Sequence, residues 1–319
     1  MESTTVLNSV MNGDDSFQLT INGASVFKMY EAEALLPDAT LESFFSYLNA
    51  HNIGLAMEGL PLVAAPGQPG YDVEGFSAPG DLETLLTKIK TDGGNLSYVA
   101  WDEPYAYGDV VTGIYSLSSL ASQVAASTQE VKALFPNAEV GDIEPVQPTV
   151  SNEASQLQAW FNAYAQANGA PFDFFQADIG SWDAGWQTTL ADVTAMAHTD
   201  GIEVGDIIDG YWNATSDEAW VTEAESLAQQ IMSDPSLCPD FLVVQSWQSY
   251  PSETMHPNQP GTLASVLQYV ETLVGSEGLE GANSRSRFDS VALSARSPSI
   301  PTREDPFAAY SAILSAAHL

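Results

Sequence analysis

The stretch EVGDIEPVQPTVSNEASQLQAWFNAYAQANGAPFDFFQAD, residues 139–178, decides the fold. Its two ends carry short apolar runs bounded by turn residues, 139–143 and 172–177, and these predict strands. Between them lies an apolar stripe at helical spacing, made by Leu157, Trp160, Phe161 and Tyr164. The order strand, helix, strand is typical of a parallel βαβ unit.

The same alternation extends along most of the chain. Strands are predicted at 26–30, 53–57, 96–101, 139–143, 172–177, 203–209, 241–247 and 291–295. Helices are predicted at 40–51, 81–91, 116–134, 152–168, 184–199, 217–233, 262–274 and 306–317. Eight such pairs predict an α/β fold, a (β/α)8 TIM barrel forming one domain over 17–319. A doubly wound open sheet is the alternative, although a glycine-rich first βα turn is missing.

Three further stretches are predicted outside the regular alternation. Residues 1–16 are expected to be disordered or extended, and 17–25 to form a short β-hairpin that caps the barrel. The Pro- and Gly-rich loop 61–80 is expected to be among the least ordered parts of the chain.

The charge of the chain is strongly one-sided, because 42 acidic and 8 basic side chains give a formal net charge of -34. Charged residues make up only 16% of the chain, against about 25% in a typical domain, so the imbalance comes from missing Lys and Arg. Between Lys132 and Arg285, 152 residues hold 22 carboxylates and no Lys or Arg. Nucleic acids and anionic membranes require such cations, so we expect neither as a partner.

Other features limit the class of protein. The single cysteine, Cys238, excludes an intrachain disulfide and a thiolate metal cluster. Residues 1–16 lack the basic and apolar regions of a signal peptide, whereas scarce lysine and high net charge favour an exported protein. We therefore expect a secreted or periplasmic monomer without a cofactor, whose leader is not present in this chain.

Carboxylates and aromatic side chains collect at the carboxyl ends of the predicted strands, where barrel enzymes have their active sites. The acidic residues there are Glu31, Glu58, Asp102, Glu103, Asp142, Glu144, Asp178 and Asp209. The other polar and aromatic residues are Trp101, Tyr105, Gln176, Trp182, Tyr211, Trp212, Gln245 and Trp247. We take all of these as candidate catalytic or substrate-binding residues and predict no metal ligand among them.

Strand periodicity suggests which carboxylates meet. Asp142 and Glu144 share one face of their strand, and Gln176 and Asp178 share one face of the next. If both faces point into the barrel, Glu144 and Asp178 open onto the same site. Asp102 or Glu103 joins them from the preceding strand, and alternation predicts that these two point in opposite directions.

Paired carboxylates with aromatic rings and no cations suit glycoside hydrolysis. One carboxylic acid protonates the leaving oxygen, while a second carboxylate acts as nucleophile or as base for water. Crowding of carboxylates raises the pKa of one of them and keeps it protonated. Trp and Tyr faces stack on sugar rings, and neutral sugars need no basic partner. The substrate is therefore expected to be a neutral carbohydrate.

In this plan the chain resembles the (β/α)8 glycoside hydrolases, with a glutamate after the fourth strand and carboxylates on its neighbours. The resemblance implies that Glu144 is the general acid/base. Ile143 stands where these enzymes usually have Asn, and Gln245 stands at the end of strand seven where they have the nucleophile. The partner of Glu144 is therefore Glu103 or Asp178, with Asp102 as a further candidate.

Two other functions fit the same pattern. Carboxylates on successive strands bind divalent metals through oxygen, which would make the protein a metal-dependent barrel enzyme. A non-catalytic carbohydrate-binding barrel would bind sugar equally well after its carboxylates had been replaced.

Overall fold

The computed structural model describes residues 24–181, 183–210, 213–252, 259–276 and 291–295. Their strands are β1 (Val26–Tyr30), β2 (Gly54–Gly59), β3 (Leu62–Val63), β4 (Phe76–Ser77), β5 (Leu96–Asp102), β6 (Glu139–Val146), β7 (Phe174–Ile179), β8 (Glu203–Ile208), β9 (Phe241–Ser246) and β10 (Val291–Ala295). Their α-helices are α1 (Asp38–Ala50), α2 (Asp81–Thr91), α3 (Leu117–Leu134), α4 (Glu153–Asn168), α5 (Trp186–Thr199), α6 (Asp217–Ser233) and α7 (Leu263–Ser276). A 3₁₀ turn at Glu31–Leu35 and a π-helix at Ala106–Val111 complete the set.

Eight of these strands follow the order β1-β10-β9-β8-β7-β6-β5-β2, the order of a closed barrel. The prediction of a (β/α)8 barrel is confirmed, and the strands and helices within the described ranges lie close to their predicted bounds. The predicted hairpin at 17–25 and the last helix at 306–317 fall mainly or wholly outside the described residues. The described chain divides into two compact units.

One unit contains residues 56–91 and 95–204, with β3–β7 and helices α2–α5. β5 pairs in parallel with β6, and β6 with β7. Gly141 is needed in β6, because a Cβ there would lie 2.3 Å from the Phe174 ring of β7. The helix α4 packs by its predicted apolar stripe, whose four side chains are all buried.

The other unit contains the described residues of 24–55, 92–94 and 205–295. In it β1 pairs with β10, β10 with β9, and β9 with β8, all in parallel. The helix α6 begins at a Ser216 N-cap, whose hydroxyl oxygen accepts a hydrogen bond from the Ala219 amide at 3.2 Å. Trp220 and Ile231 are among the side chains that α6 buries.

The loop 61–80 is more regular than its composition predicts. Within it β3 pairs in parallel with β4, and the Ala64 amide donates to the Ser77 carbonyl at 3.0 Å. The Ser77 hydroxyl donates to the Leu62 carbonyl at 3.2 Å. The expectation of low order in this loop is therefore wrong, because backbone pairing compensates for its many turn residues. Among the described helices, none is both long and apolar enough to cross a membrane.

Candidate active site

The register of the sheet decides which side chains share a face. Trp101 of β5 lies opposite Asp142 of β6, and the Trp101 indole donates to the Thr128 hydroxyl of α3 at 3.1 Å. The Trp160 indole of α4 donates to Asp142 Oδ2 at 2.7 Å. Side chains opposite each other in register project to the same face of a sheet. Trp101 and Asp142 therefore face the helices, and neither faces a site at the strand ends.

The same register separates Glu144 from Asp178. Glu144 lies opposite Ala177, whereas Asp178 lies opposite Pro145. Successive residues of a strand point to opposite faces, so Glu144 shares the helix-facing side of Asp142, and Asp178 does not. The expectation that Glu144 and Asp178 lie on one inward face is therefore wrong. Asp178 instead shares its face with Gln176, as predicted.

Glu144 is enclosed by the chain that follows β5. Its Oε1 accepts a hydrogen bond from the Tyr105 amide at 2.6 Å, and its Oε2 accepts one from the Ala106 amide at 2.9 Å. The side chain has no exposed surface. Desolvation and the neighbouring Asp142 raise the pKa of Glu144, while the two amide hydrogen bonds oppose that rise. Both oxygens are thus engaged in holding the first turn of the segment that leads into the π-helix.

Glu103 differs from Glu144, because one of its carboxyl oxygens has no hydrogen-bond partner. The side chain is 5% exposed, and its Oε2 is buried without a hydrogen-bond partner. Burial raises the pKa of Glu103 well above its ordinary value, and so do the charges of four neighbours. These neighbours are Asp102, Asp178, Glu144 and Glu58. We call Glu103 and these four residues the carboxylate cluster. These four neighbours are acidic, and their charges favour the protonated form of Glu103.

The backbone explains how Glu103 enters the cluster. Its amide continues the ladder by donating to the Ile143 carbonyl at 3.0 Å, but its φ is +47°. A left-handed residue breaks the alternation of the strand and is costly for a side chain other than glycine. As a result, carboxylate oxygens of Asp102 and Glu103 lie within 4.8 Å of each other. The expectation that these two side chains point in opposite directions is wrong.

Glu74 completes a group that could hold a metal ion. One oxygen each of Glu74, Asp102 and Glu103 lies within 4.8 Å of the other two. Three carboxylate oxygens form a ligand set that suits Mg²⁺, Mn²⁺ or Ca²⁺. Glu74 could not be predicted from the strand pattern, because it lies within the loop 61–80 and not at the end of a predicted strand.

Two tyrosines, Tyr105 and Tyr107, follow Glu103 in the chain. The Tyr105 ring stacks on Trp160, with centroids 6.0 Å apart, and its hydroxyl donates to Gln156 at 3.3 Å, so its ring and hydroxyl both contact α4. Tyr107, which the sequence analysis also missed, lies one turn after Glu103, and its amide donates to the Glu103 carbonyl at 3.1 Å. Burial and the charges of the cluster raise the pKa of Tyr107, so its phenol stays neutral. It lies in a π-helix, an element found frequently at functional sites.

The second unit places its predicted residues differently. Both Asp209 oxygens are engaged, because Oδ1 accepts from the Trp220 indole at 3.1 Å and Oδ2 from Gln248 Nε2 at 3.0 Å. Gln245 is buried, with an unpartnered Oε1, while Trp247 is half-buried. Glu31 lies in the 3₁₀ turn after β1. Trp182, Tyr211 and Trp212 lie outside the described residues.

No protein-family model matches this chain, and no curated protein does. Solved structures do resemble it. A xylanase from Thermotoga maritima is 11% identical over 77% of this chain and 86% of its own, with a TM-score of 0.45. The 3-keto-D-glucoside 4-epimerase of E. coli is 12% identical over 92% of this chain and 99% of its own, with a TM-score of 0.42.

A biosynthetic arginine decarboxylase from Campylobacter jejuni is 7% identical over 91% of this chain, with a TM-score of 0.46. This chain spans 43% of the decarboxylase. The named relatives carry different chemistries. The fold is shown by the strand order of the sheet.

Proposed function

We propose that this protein is a glycoside hydrolase that cleaves a neutral polysaccharide or oligosaccharide with Glu103 as the proton donor. The observation that carries the proposal is the carboxylate cluster, in which Glu103 is buried among negative charges with one unpartnered oxygen. A carboxyl group kept protonated beside ionised carboxylates is what glycosidic bond cleavage requires.

The roles follow from the faces of the strands. Glu103 transfers its proton to the glycosidic oxygen as the bond to the anomeric carbon breaks. Asp178 lies on the face opposite Glu144, and its charge acts on Glu103. It is the partner that attacks the anomeric carbon or takes a proton from the attacking water. Asp102 lies beside Glu103 and adds to the field that keeps the acid protonated.

Glu144 receives a different role from the one that the resemblance implied. Its two oxygens already accept hydrogen bonds from backbone amides, and its side chain has no exposed surface. We assign it to positioning, because it fixes the chain that carries Tyr105 and the π-helix beside Glu103. The donor is thus displaced from the end of β6 to the end of β5.

The charge of the site supports an uncharged substrate. The four neighbouring charges that raise the pKa of Glu103 are negative, so an acidic sugar would meet repulsion from them. The overall charge of -34 and the scarcity of lysine support the further proposal of an exported, monomeric protein that acts on carbohydrate outside the cytoplasm.

The test is a panel of neutral polysaccharides, assayed for reducing-end release between pH 4 and 7 with wild-type protein and two variants. Glu103→Gln should lose activity, whereas Glu130→Gln, an exposed glutamate of α3, should retain it. Unchanged turnover by Glu103→Gln would remove Glu103 from the reaction. Loss of turnover with retained sugar binding excludes the non-catalytic binding barrel.

One observation favours a second candidate, the divalent-metal-dependent barrel enzyme. The approach of Glu74, Asp102 and Glu103 provides three oxygen ligands. In that case EDTA abolishes activity and a divalent ion restores it. The hydrolase with a protonated Glu103 keeps its activity in EDTA, so the same panel run with EDTA in parallel separates the two.

A further inference from the structure

The loop between β6 and α4 carries an unusual group of buried polar atoms. Gln147 is 1% exposed, and both its Oε1 and its Nε2 are without a hydrogen-bond partner. Glu153 is 3% exposed, and its Oε1 is likewise unpartnered. Glu153 Oε2 accepts a hydrogen bond from the backbone amide of Gln147 at 2.8 Å, and this bond holds the two residues together. Buried polar groups are nearly always paired, so this group requires an explanation.

The position of Gln147 relates it to Asp178. Pro145 lies opposite Asp178 in register. Two residues after each of them, Gln147 lies next to Gly180. The Gly180 amide donates to the Val146 carbonyl at 3.0 Å, and a Cβ at Gly180 would lie 3.5 Å from Gln147 Cγ. A two-residue step keeps a side chain on the same face. Gln147 therefore follows Asp178 on the face assigned to the reaction.

We infer that the Gln147 carboxamide, with Glu153 behind it, is a recognition site for hydroxyl groups of the sugar bound beside Asp178. An amide offers a donor and an acceptor side by side, which matches the hydroxyls of a neutral sugar. Burial raises the pKa of Glu153 well above its ordinary value, so the pair presents no net charge to the ligand. Because both amide atoms are enclosed, sugar binding requires the atoms that cover them to move aside.

This inference rests on the proposed function, and it predicts two effects of opposite sign for Gln147→Leu. In the free protein the leucine removes two unpartnered polar atoms from a buried position, so the melting temperature should rise. In the complex it removes the hydrogen bonds to the sugar, so binding should weaken by about 10- to 100-fold. A purely structural amide would produce the opposite change in melting temperature.

The experiment measures binding of xylohexaose, cellohexaose and mannohexaose by calorimetry in the Glu103→Gln background, so that the sugar is not consumed. Gln147→Leu is compared with Gln123→Leu, at an exposed glutamine of α3, which should change neither binding nor melting temperature. Thermal unfolding of each variant is recorded in parallel. A weaker dissociation constant with a raised melting temperature supports the inference.

Two results would overturn it. One is sugar binding by Gln147→Leu that equals the parent, and the other is weaker binding accompanied by a lower melting temperature. Failure of the proposed function is distinguishable, because then the wild-type protein neither hydrolyses nor binds any neutral sugar of the panel. The inference fails alone when wild-type protein hydrolyses a sugar and Gln147→Leu binds it unchanged.

Discussion

Two buried carboxyl groups, Glu103 after β5 and Asp206 within β8, are similar in burial and different in surroundings. Asp206 is fully buried, and neither of its oxygens has a hydrogen-bond partner. Burial raises the pKa of Asp206, and Asp240, which precedes β9, adds to the rise. Four acidic residues at the carboxyl ends of strands raise the pKa of Glu103. Asp206 lies inside its strand, and among the described residues one acidic neighbour, Asp240, raises its pKa.

The difference shows that burial and a raised pKa do not by themselves mark a catalytic acid. What distinguishes Glu103 is crowding by four other carboxyl groups at the carboxyl ends of the strands. Burial of Asp206 is expected to destabilise the fold when the group is ionised, whereas Glu103 is the group that we propose as the proton donor. The following predictions test this contrast, from the largest expected effect to the smallest.

The largest effect is expected for Glu103→Gln. Removal of a general acid lowers kcat by about 10²- to 10⁴-fold, while circular dichroism should show an intact fold. The raised pKa of Glu103 sets the direction of the pH dependence. Wild-type activity requires protonated Glu103, so kcat falls as pH rises through the pKa of that group. A pH–rate profile whose alkaline limb is unchanged in the variant would contradict the assignment.

Glu144→Gln should act mainly on stability. The amide replaces one acceptor oxygen with a donor that faces a backbone N–H, so one hydrogen bond is lost and the two facing donors are left unpaired. We expect a loss of about 2–3 kcal/mol in the free energy of unfolding, measured by urea denaturation. An unaltered unfolding midpoint together with abolished turnover would return Glu144 to the acid/base role.

Asp206→Asn should change how stability depends on pH. Because the folded pKa of Asp206 is raised, the folded protein binds this proton more tightly than the unfolded chain does. The stabilisation that this proton gives to the folded protein is fully present below the unfolded pKa of Asp206. It is lost as pH rises towards the folded pKa, at up to about 1.4 kcal/mol per pH unit. Thermal unfolding between pH 4 and 8 should show the variant gaining on the wild type, with hydrolysis unaffected. Parallel curves would mean that Asp206 does not titrate in this range.

Asp142→Asn should have the smallest effect. The carboxyl group is fully buried, burial raises its pKa, and Oδ2 accepts from the Trp160 indole. An asparagine oxygen accepts the same hydrogen bond, so the free energy of unfolding at neutral pH should change by less than about 1 kcal/mol. Urea denaturation is the check, and a large loss would show that Asp142 is held ionised.

The sequence by itself determined the alternation of strands and helices, and with it the barrel and the acidic strand ends. Apolar periodicity is a local property of the chain, so bounds such as those of α2 and β10 could be predicted from it. The cation-free stretch and the resulting charge are likewise fixed by composition.

Only the tertiary structure decided which carboxyl groups lie close together. The strand register places the Glu144 side chain on the helix-facing side of β6. A left-handed φ at Glu103 places its carboxyl group beside that of Asp102. Glu74, which lies close to both, belongs to the loop in which β3 pairs with β4. These features depend on pairing between distant segments and on one strained backbone angle, and neither leaves a periodic signal in the chain. Gln147 could not be identified from the sequence for the same reason. Whether a buried amide has a hydrogen-bond partner is known only when all its neighbours have been placed.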